Sequence, residues 1–312
     1  MVNGMGGDDT LTAVGNTPLV RLRALEPEGG AEIWIKLEGG NPTGSYKDRM
    51  AISVLVGAMR RGDLRPGDRV VEYTGGSTGT ALAFVSAVLG LRFTAVFSDA
   101  FSASKRQAME AFGAEVLVEE SHGRGITPDL IQRMKARAFA LAGEPGSYYA
   151  DQFGSPDVRA GYAPMGHEIA EALGGQVDVL LSAVGTGAAL MGAADGLTQA
   201  GVTPQVIALE PLQSPLLTTG KGGAHRVEGV GVGFEPPFLD RGRLSDIRAI
   251  DQEQGFEMCR RLARETGVFG GGSTGLNVVA AIQLAQEIGP GKRVVTFCCD
   301  NGGKCLGGHI YG

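Results

Sequence analysis

Short apolar runs alternate with helical patterns along almost the whole chain, and this alternation limits the possible folds more than any other feature. Strand-like runs include Arg69–Tyr73 and Val177–Ala183, and helical patterns include Pro128–Ala142 and Gln252–Thr266. Strands that alternate with helices form βα units, in which the strands pair in parallel and the helices cover the sheet. The sequence therefore predicts an α/β protein with open, mostly parallel sheets flanked by helices.

The βα pattern occurs twice. It runs once to about Val118 and starts again at Val177, which predicts two lobes and a crossing near residues 142–151. The other expected strands are Ile33–Leu37, Arg92–Phe97, Glu115–Val118, Gln205–Leu209 and Arg293–Phe297. The other expected helices are Arg49–Arg60, Thr80–Leu89, Ala103–Phe112, Gly161–Leu173 and Ser273–Ile288.

Charge, hydropathy and cysteine content argue against several classes of protein. A net charge of -6 without a basic stripe argues against nucleic acid as the main partner. The apolar runs are too short to span a membrane, and the polar start of the chain lacks a signal-peptide pattern. Four cysteines in 312 residues do not form a disulfide framework, which favours a reducing, cytoplasmic location.

One lysine, Lys47, lies between a Gly/Asn/Pro turn and the start of an expected helix. A helix N-terminus disfavours a positive charge, and partial burial lowers the pKa of an amine in the same direction. A neutral amine can attack a carbonyl carbon, which is what Schiff-base formation requires. A surface lysine at a helix start is the simpler interpretation of a lone residue of this kind.

Two glycine-rich loops, Glu72–Gly79 and Val184–Leu190, each follow an expected strand and precede a helix. Backbone N–H groups at a helix start bind anions, and glycine lets the backbone approach a ligand closely. A plain turn with Ser77 or Thr78 as the helix N-cap explains the first loop about equally well. A dinucleotide-binding loop is a weak alternative for the second, because its glycine spacing does not match.

The lysine segment, Asn-Pro-x-x-Ser-x-Lys-Asp-Arg, resembles the pyridoxal-phosphate motif of the cysteine synthase and cystathionine β-synthase family, which has fold type II. Both glycine-rich loops and the segment Phe269–Leu276 occur in the family's order, and the resemblance runs from Gly15 to the C-terminus. It implies a two-lobed enzyme with pyridoxal 5'-phosphate between the lobes. Residues 41–150 would form the smaller lobe, and residues 1–40 and 151–312 the larger, cofactor-binding lobe.

The resemblance also implies a role for each matching residue. Lys47 would carry the cofactor as a Schiff base and move the proton at the substrate Cα. The cofactor would be held at its phosphate by Gly185, Thr186, Gly187, Ala188 and Ala189, at its phenolic oxygen by Ser77, and at its pyridine nitrogen by Ser273. The substrate would be bound by Thr74, Gly75, Gly76, Thr78, Gln152 and Gly231.

The chain departs from the family pattern at three of these positions: Gly75 replaces Ser, Ser77 replaces Asn, and Ala189 replaces Thr. Gly75 is expected to free space beside the carboxylate site and so to admit a bulkier donor or nucleophile. An alanine at position 188 is compatible with a phosphate loop if its φ is negative. Ser273 matches the family, and its neutral hydroxyl makes the cofactor a milder electron sink, which suits a good β-leaving group.

The sequence thus predicts β-replacement on an O-activated L-serine with sulfide, a thiol or a related nucleophile, through an aminoacrylate intermediate. A serine or threonine dehydratase is the first alternative, and a non-catalytic metabolite-binding α/β protein is an alternative of another class. The expected partners are small molecules, and the resemblance implies a homodimer. No metal is expected, because the spacing of Cys298, Cys299, Cys305 and His309 is unusual for zinc.

Overall fold

A computed structural model of the protein describes residues 9–125 and 127–312. Residues 1–8, the polar segment that lacks a signal-peptide pattern, lie outside the described residues. The described chain divides into two compact units. The first unit comprises the described residues up to Val14 together with Lys47–Gly161, and the second comprises Gly15–Tyr46 and Tyr162–Gly312.

Strands and helices alternate through both units. The strands are β1 Leu19–Arg21, β2 Glu32–Lys36, β3 Arg69–Tyr73, β4 Arg92–Ser98, β5 Glu115–Glu119, β6 Ser147–Tyr149, β7 Val179–Ala183, β8 Gln205–Pro211, β9 Asp246–Ile250 and β10 Arg293–Phe297. The helices are α1 Lys47–Arg61, α2 Ser77–Val88, α3 Ala103–Ala111, α4 Pro128–Ala142, α5 Asp157–Ala160, α6 Ala163–Ala172, α7 Ala188–Gln199, α8 Leu216–Thr219, α9 Gln252–Thr266 and α10 Gly272–Ile288. Within residues 9–125 and 127–312, none of these helices has both the length and the apolar character that a membrane crossing requires.

The first unit contains a four-stranded sheet in the order β5-β4-β3-β6. All of its strand pairs are parallel, so the carboxyl ends of β3 and β4 lie at the same edge. Val71 and Val96 from these strands pack against α4 residues such as Met134, and all three side chains are fully buried. This packing holds the edge from which the first glycine-rich loop leaves the sheet.

The second unit contains a six-stranded sheet in the order β1-β2-β10-β7-β8-β9. Only β1 runs antiparallel to its neighbour, β2, among the pairs of this sheet that the structure describes. Its core is built from aliphatic strand residues and from apolar residues of α9 and α10. The second glycine-rich loop follows β7, and α10 begins in the same unit.

The predicted α/β class with parallel sheets is confirmed. Several strands and helices coincide with the predicted ranges to the residue, including β3, β10, α4 and α9. The short strands β1, β6 and β9 were not predicted. β6 lies within the expected crossing stretch and, among the described strands, pairs with β3 alone. Its three residues are too few to show a period of two in the sequence.

Candidate active site

Lys47 is the first residue of α1 and is half-buried, so its predicted place at a helix start is confirmed. The residues before it are fixed within the second unit. The Ser45 hydroxyl donates to Asp300 Oδ1 at 2.5 Å, and the Tyr46 N–H donates to the Cys299 carbonyl at 3.0 Å. The Asn301 N–H donates to the Gly44 carbonyl at 2.8 Å. The segment after β10 therefore fixes the backbone that leads into Lys47.

Asn41, at the start of the lysine motif, has a structural role. Its side-chain amide donates to the Glu38 carbonyl and to Glu38 Oε2, at 2.8 and 3.0 Å. Its Oδ1 accepts from the Gly15 N–H at 2.9 Å, while Thr17 donates to Glu38 Oε1 at 2.6 Å. The buried Glu38 carboxylate thus joins the Asn41 turn to the Gly15 segment, which explains why both belong to one sequence pattern.

The first glycine-rich loop leads directly into α2, which begins at Ser77 rather than at Thr80. Its N-cap is Gly76, and within the described chain no side chain caps the helix there. The Thr74 hydroxyl instead accepts from the N–H groups of Gly76 and Gly79, both at 3.1 Å. Neither Ser77 nor Thr78 is the N-cap, so the N-cap expected for a plain turn is wrong.

Three of the predicted carboxylate-binding side chains lie close together in the first unit. The Thr78 hydroxyl donates to Gln152 Oε1 at 2.8 Å, and Gln152 Nε2 donates to the Tyr73 carbonyl at 3.3 Å. Thr74, Thr78 and Gln152 are all buried. These bonds join the end of β3, the start of α2 and the segment after β6 at the carboxyl edge of the sheet.

Gly75 does not leave empty space, as the sequence had led us to expect. A Cβ placed on Gly75 would lie 2.6 Å from Phe101 Cε1 and 3.0 Å from Phe101 Cδ1, distances that real Cβ atoms do not tolerate without a shift. Phe101 also packs against Phe97 of β4, with ring centroids 5.5 Å apart. The Phe101 ring therefore fills the volume that a side chain at position 75 would need.

Glu72, near the end of β3, bonds to the residues on which the first glycine-rich loop rests. It was not singled out in the sequence. It is completely buried, and its oxygens accept from the Tyr73 and Gln152 N–H groups, both at 3.0 Å. The Tyr149 hydroxyl also bonds to this carboxyl group. An acidic residue inside an apolar strand was the available signal, because carboxyl groups are rarely buried without partners.

We expect Glu72 to make folding stability depend on pH. Burial raises its pKa from 4.5 to about 8, so the folded protein holds this proton more tightly than the unfolded chain does. Its stabilising contribution is complete below pH 4.5 and is lost as pH rises through about 8. The loss is on the order of 5 kcal/mol in the free energy of unfolding.

Glu72→Gln removes the titration and should flatten this part of the stability curve, measured as urea unfolding at several pH values. The Gln variant should also be less stable at every pH. Its amide oxygen can accept from only one of the two N–H groups that bond to Glu72, and its NH2 group cannot accept from the other. Glu110→Gln, on the exposed surface of α3, is the matched control. An unchanged slope in the Glu72 variant would contradict the assignment.

The second glycine-rich loop forms a close-packed cradle within the second unit. A Cβ on Gly185 would lie 2.3 Å from the Gly229 carbonyl oxygen, and a Cβ on Gly187 would lie 2.8 Å from the Leu239 nitrogen. Gly187 has φ +82° and is the N-cap of α7, and no side chain of the described residues caps that helix. The Thr186 hydroxyl accepts from the Ala188 N–H at 3.3 Å. The loop presents backbone N–H groups at a helix start, as phosphate binding requires.

Three further residues expected at the phosphate loop or beside it, Ala188, Ala189 and Gly231, have positions compatible with phosphate binding. Ala188 is the first residue of α7 and is not among the described residues with positive φ, so the condition set by the sequence is met. The Gly231 N–H donates to the Val184 carbonyl at 3.1 Å, which places Gly231 beside the loop. Ala189 follows in the first turn of the helix.

Ser273 is the second residue of α10, whose N-cap is Gly271, so it is not the helix cap. Its hydroxyl bonds to the Cys299 thiol, whose pKa burial raises to about 12. Ser273 therefore faces a neutral thiol. Asn277, one turn further along, accepts from the Ala183 N–H at 2.7 Å and donates to the Phe297 carbonyl at 2.8 Å. It ties α10 to the ends of β7 and β10.

The cysteines at the end of β10 are buried thiols. Burial raises the pKa of Cys298 and of Cys299 to about 12, so both are protonated near neutral pH. Zinc binds the thiolate rather than the thiol, so a protonated cysteine is a poor ligand. Within the described parts of the chain, no group of three or more His, Cys, Asp or Glu residues is arranged to hold a metal ion.

Comparisons with known proteins identify the family. The family described as pyridoxal-phosphate dependent enzyme matches residues 10–300. The chain belongs to this family. It is 35% identical over 306 residues to a cysteine synthase of Staphylococcus aureus (strain Mu50), with 97% of each chain covered. It is 33% identical to the O-ureido-L-serine synthase of Streptomyces lavendulae, covering 96% of this chain and 91% of that protein. The crystal structure of a cysteine synthase from Entamoeba histolytica superposes with a TM-score of 0.90 at 32% identity, covering 97% and 90% of the two chains.

The cofactor of this family is pyridoxal phosphate, and the residues of this chain fit it. The Gly185–Ala189 loop offers the uncapped start of α7 as a cradle for the phosphate, in which a Cβ at Gly185 or Gly187 would collide with backbone. Lys47 is half-buried at the start of α1, and its amine is the group that would form a Schiff base with the cofactor. Ser273 is left uncommitted to helix capping and offers a neutral hydroxyl.

Proposed function

We propose that the protein catalyses pyridoxal-phosphate dependent β-replacement on an O-activated L-serine, with sulfide, a thiol or a related nucleophile. The observation that carries the proposal is Lys47 at the first position of a helix, in a chain that matches cysteine synthases over 97% of its length. A lysine at that place supplies both an amine nucleophile and a base. A non-catalytic binding protein would have no use for it.

Each of the side chains assigned to the site has a defined task in this reaction. The cofactor, when bound, supplies an electron sink that acidifies the substrate Cα. Lys47 would hold the cofactor covalently, and its amine would take the substrate Cα proton before the β-substituent leaves and return it after the nucleophile has added. The Gly185–Ala189 loop binds the phosphate, and Ser273 accepts or donates a hydrogen bond at the pyridine nitrogen without adding charge.

The substrate carboxylate is oriented by the first glycine-rich loop. The N–H groups at the start of α2, flanked by Gly75 and Gly76, offer neutral donors to an anion. Thr78 and Gln152, which already bond to each other at 2.8 Å, exchange that bond for bonds to the carboxylate. Ser77 is assigned to the cofactor's phenolic oxygen, with a shorter reach than the asparagine of the family pattern that the loop resembles.

Replacement is favoured over dehydration by the neutral Ser273 and by the relatives. A neutral partner gives a weak electron sink, so hydroxide is a poor leaving group whereas acetate or phosphate departs readily. One relative is a cysteine synthase, and another is an O-ureido-L-serine synthase. The two names give different products, so the relatives do not decide which nucleophile this protein uses. We propose only that the nucleophile attacks Cβ of an activated serine.

We further propose that the two units correspond to the smaller substrate lobe and the larger cofactor lobe expected from the family, with different bounds: residues 9–14 and 151–161 fall in the smaller unit and residues 41–46 in the larger. A homodimer in the cytoplasm is the assembly and location that the resemblance favours. The four cysteines support a reducing compartment, because each is a free thiol.

A matrix of donors and nucleophiles tests the proposed reaction. Purified protein with its cofactor is incubated with O-acetyl-, O-phospho- or unmodified L-serine, each with sulfide, a small thiol or hydroxyurea, and product masses are recorded. We expect a β-substituted L-amino acid from an activated donor and a much slower reaction of plain serine. Absence of any β-substituted product would refute the proposal.

A further inference from the structure

The first turn of α3 lies directly on the carboxylate loop. Phe101, just before the helix, takes the volume of a side chain at Gly75. Lys105, one helical turn later, does the same at Gly76: a Cβ there would lie 2.4 Å from Lys105 Cδ, 2.9 Å from Cε and 3.1 Å from Nζ. Phe101 therefore leaves no room for a side chain at Gly75, and the Lys105 stem packs directly on Gly76.

Lys105 is held in this place. Its backbone N–H donates to the Ser102 carbonyl at 3.1 Å. Its side chain is half-buried, and the methylene groups pack against Gly76. Gly76 has φ +156° and is the N-cap of α2. The stem of a lysine packs well on such a surface while its ammonium remains near water. Its charge thus lies at the start of α2.

The loop itself offers only neutral donors to an anion. The Thr74 hydroxyl is occupied as an acceptor of two N–H groups, and the Thr78 hydroxyl donates to Gln152. Asp151 is close enough to Glu72, beneath the loop, for its charge to help raise the pKa of that carboxyl group, and the same charge opposes a bound anion. A carboxylate bound here needs a cation to offset that repulsion.

We propose that Lys105 is a substrate-binding residue, whose ammonium binds the α-carboxylate of the amino-acid donor. This inference deepens the proposed function. It rests on one part of that proposal, namely that the loop binds an amino acid. Phe101 fills the volume of the side chain that Gly75 lacks, and the Lys105 stem packs on Gly76. Lys105 acts on binding and not on the bonds that break, so its removal changes KM and leaves kcat nearly constant.

Lys105→Met keeps the apolar stem and removes the charge, and Lys105→Arg restores the charge on a similar stem. Arg106→Met is the matched control, because it removes a charge from the next position of the same helix, where the guanidinium bonds to Glu110. We expect Lys105→Met to raise KM for O-acetyl-L-serine and O-phospho-L-serine alike by about 5- to 30-fold. Lys105→Arg should recover part of the loss, and Arg106→Met should resemble the parent.

Calorimetric binding of L-serine, which carries the carboxylate but no activated leaving group, is measured on the same three variants. We expect the dissociation constant to rise in Lys105→Met by a factor similar to the rise in KM. This readout remains valid if no donor proves to be a substrate, so a failure of the proposed function is distinguishable from a failure of this inference. Unchanged L-serine binding, or an effect confined to O-phospho-L-serine, would overturn it.

Discussion

Lys47→Ala is expected to abolish β-replacement, with a loss of at least about a thousandfold in rate. The residue serves both as the covalent anchor of the cofactor and as the base at Cα, so one substitution removes two functions. Because Lys47 is half-buried at a helix start and alanine favours helices, we expect the fold to persist. The rate of product formation and the unfolding midpoint are measured side by side.

Lys221→Ala, on the exposed surface, is the control for loss of a lysine and should keep the parental rate. Borohydride treatment of the parent protein provides an independent test, because it should fix the cofactor to the peptide that contains Lys47. Label on another lysine, or substantial turnover by Lys47→Ala, would show that Lys47 is not the anchor.

Gly187→Asp is expected to prevent retention of the cofactor. The new side chain meets the Leu239 backbone, where a Cβ would lie 2.8 Å from the nitrogen, at a φ of +82° that side chains rarely adopt. Its carboxylate also repels the cofactor phosphate at the start of α7. Cofactor content after gel filtration, read from the visible absorbance, measures the effect.

Gly201→Asp is a matched control, because Gly201 has φ +81° and nothing within 4 Å of an added Cβ. It introduces the same strain and charge at the other end of α7, so it should retain the cofactor. Thr186→Ala removes one hydroxyl from the loop and should weaken binding by only about 1–3 kcal/mol. Full cofactor content in Gly187→Asp would place the phosphate elsewhere.

Local signals explain which elements the sequence predicted to the residue. α4 starts after Thr127, whose side chain accepts from the Leu130 N–H, and α9 starts after Asp251 and ends at Gly267 with φ +74°. Such caps are readable from a single stretch of chain. The start of α2 was misplaced because its N-cap is Gly76, which makes no side-chain bond to signal it.

The contacts that shape the candidate site could not be predicted, because they join residues distant in sequence. Glu72 accepts a hydrogen bond from the N–H of Gln152, and Asn277 accepts one from the N–H of Ala183. The side chain that fills the volume beside Gly75 comes from the loop after β4. The glycine at position 75 therefore led us to expect empty space. The space is filled by Phe101, which no pattern near Gly75 could indicate.

The central claim is that the enzyme replaces the β-substituent instead of only eliminating it. The most direct test is the identity of the product formed from O-acetyl-L-serine with and without sulfide, compared with that formed from L-serine and L-threonine. We predict L-cysteine as the main product when sulfide is present, formed faster than any keto acid and ammonia from the unactivated amino acids. Faster release of keto acid and ammonia from L-serine or L-threonine would contradict the account and favour a dehydratase.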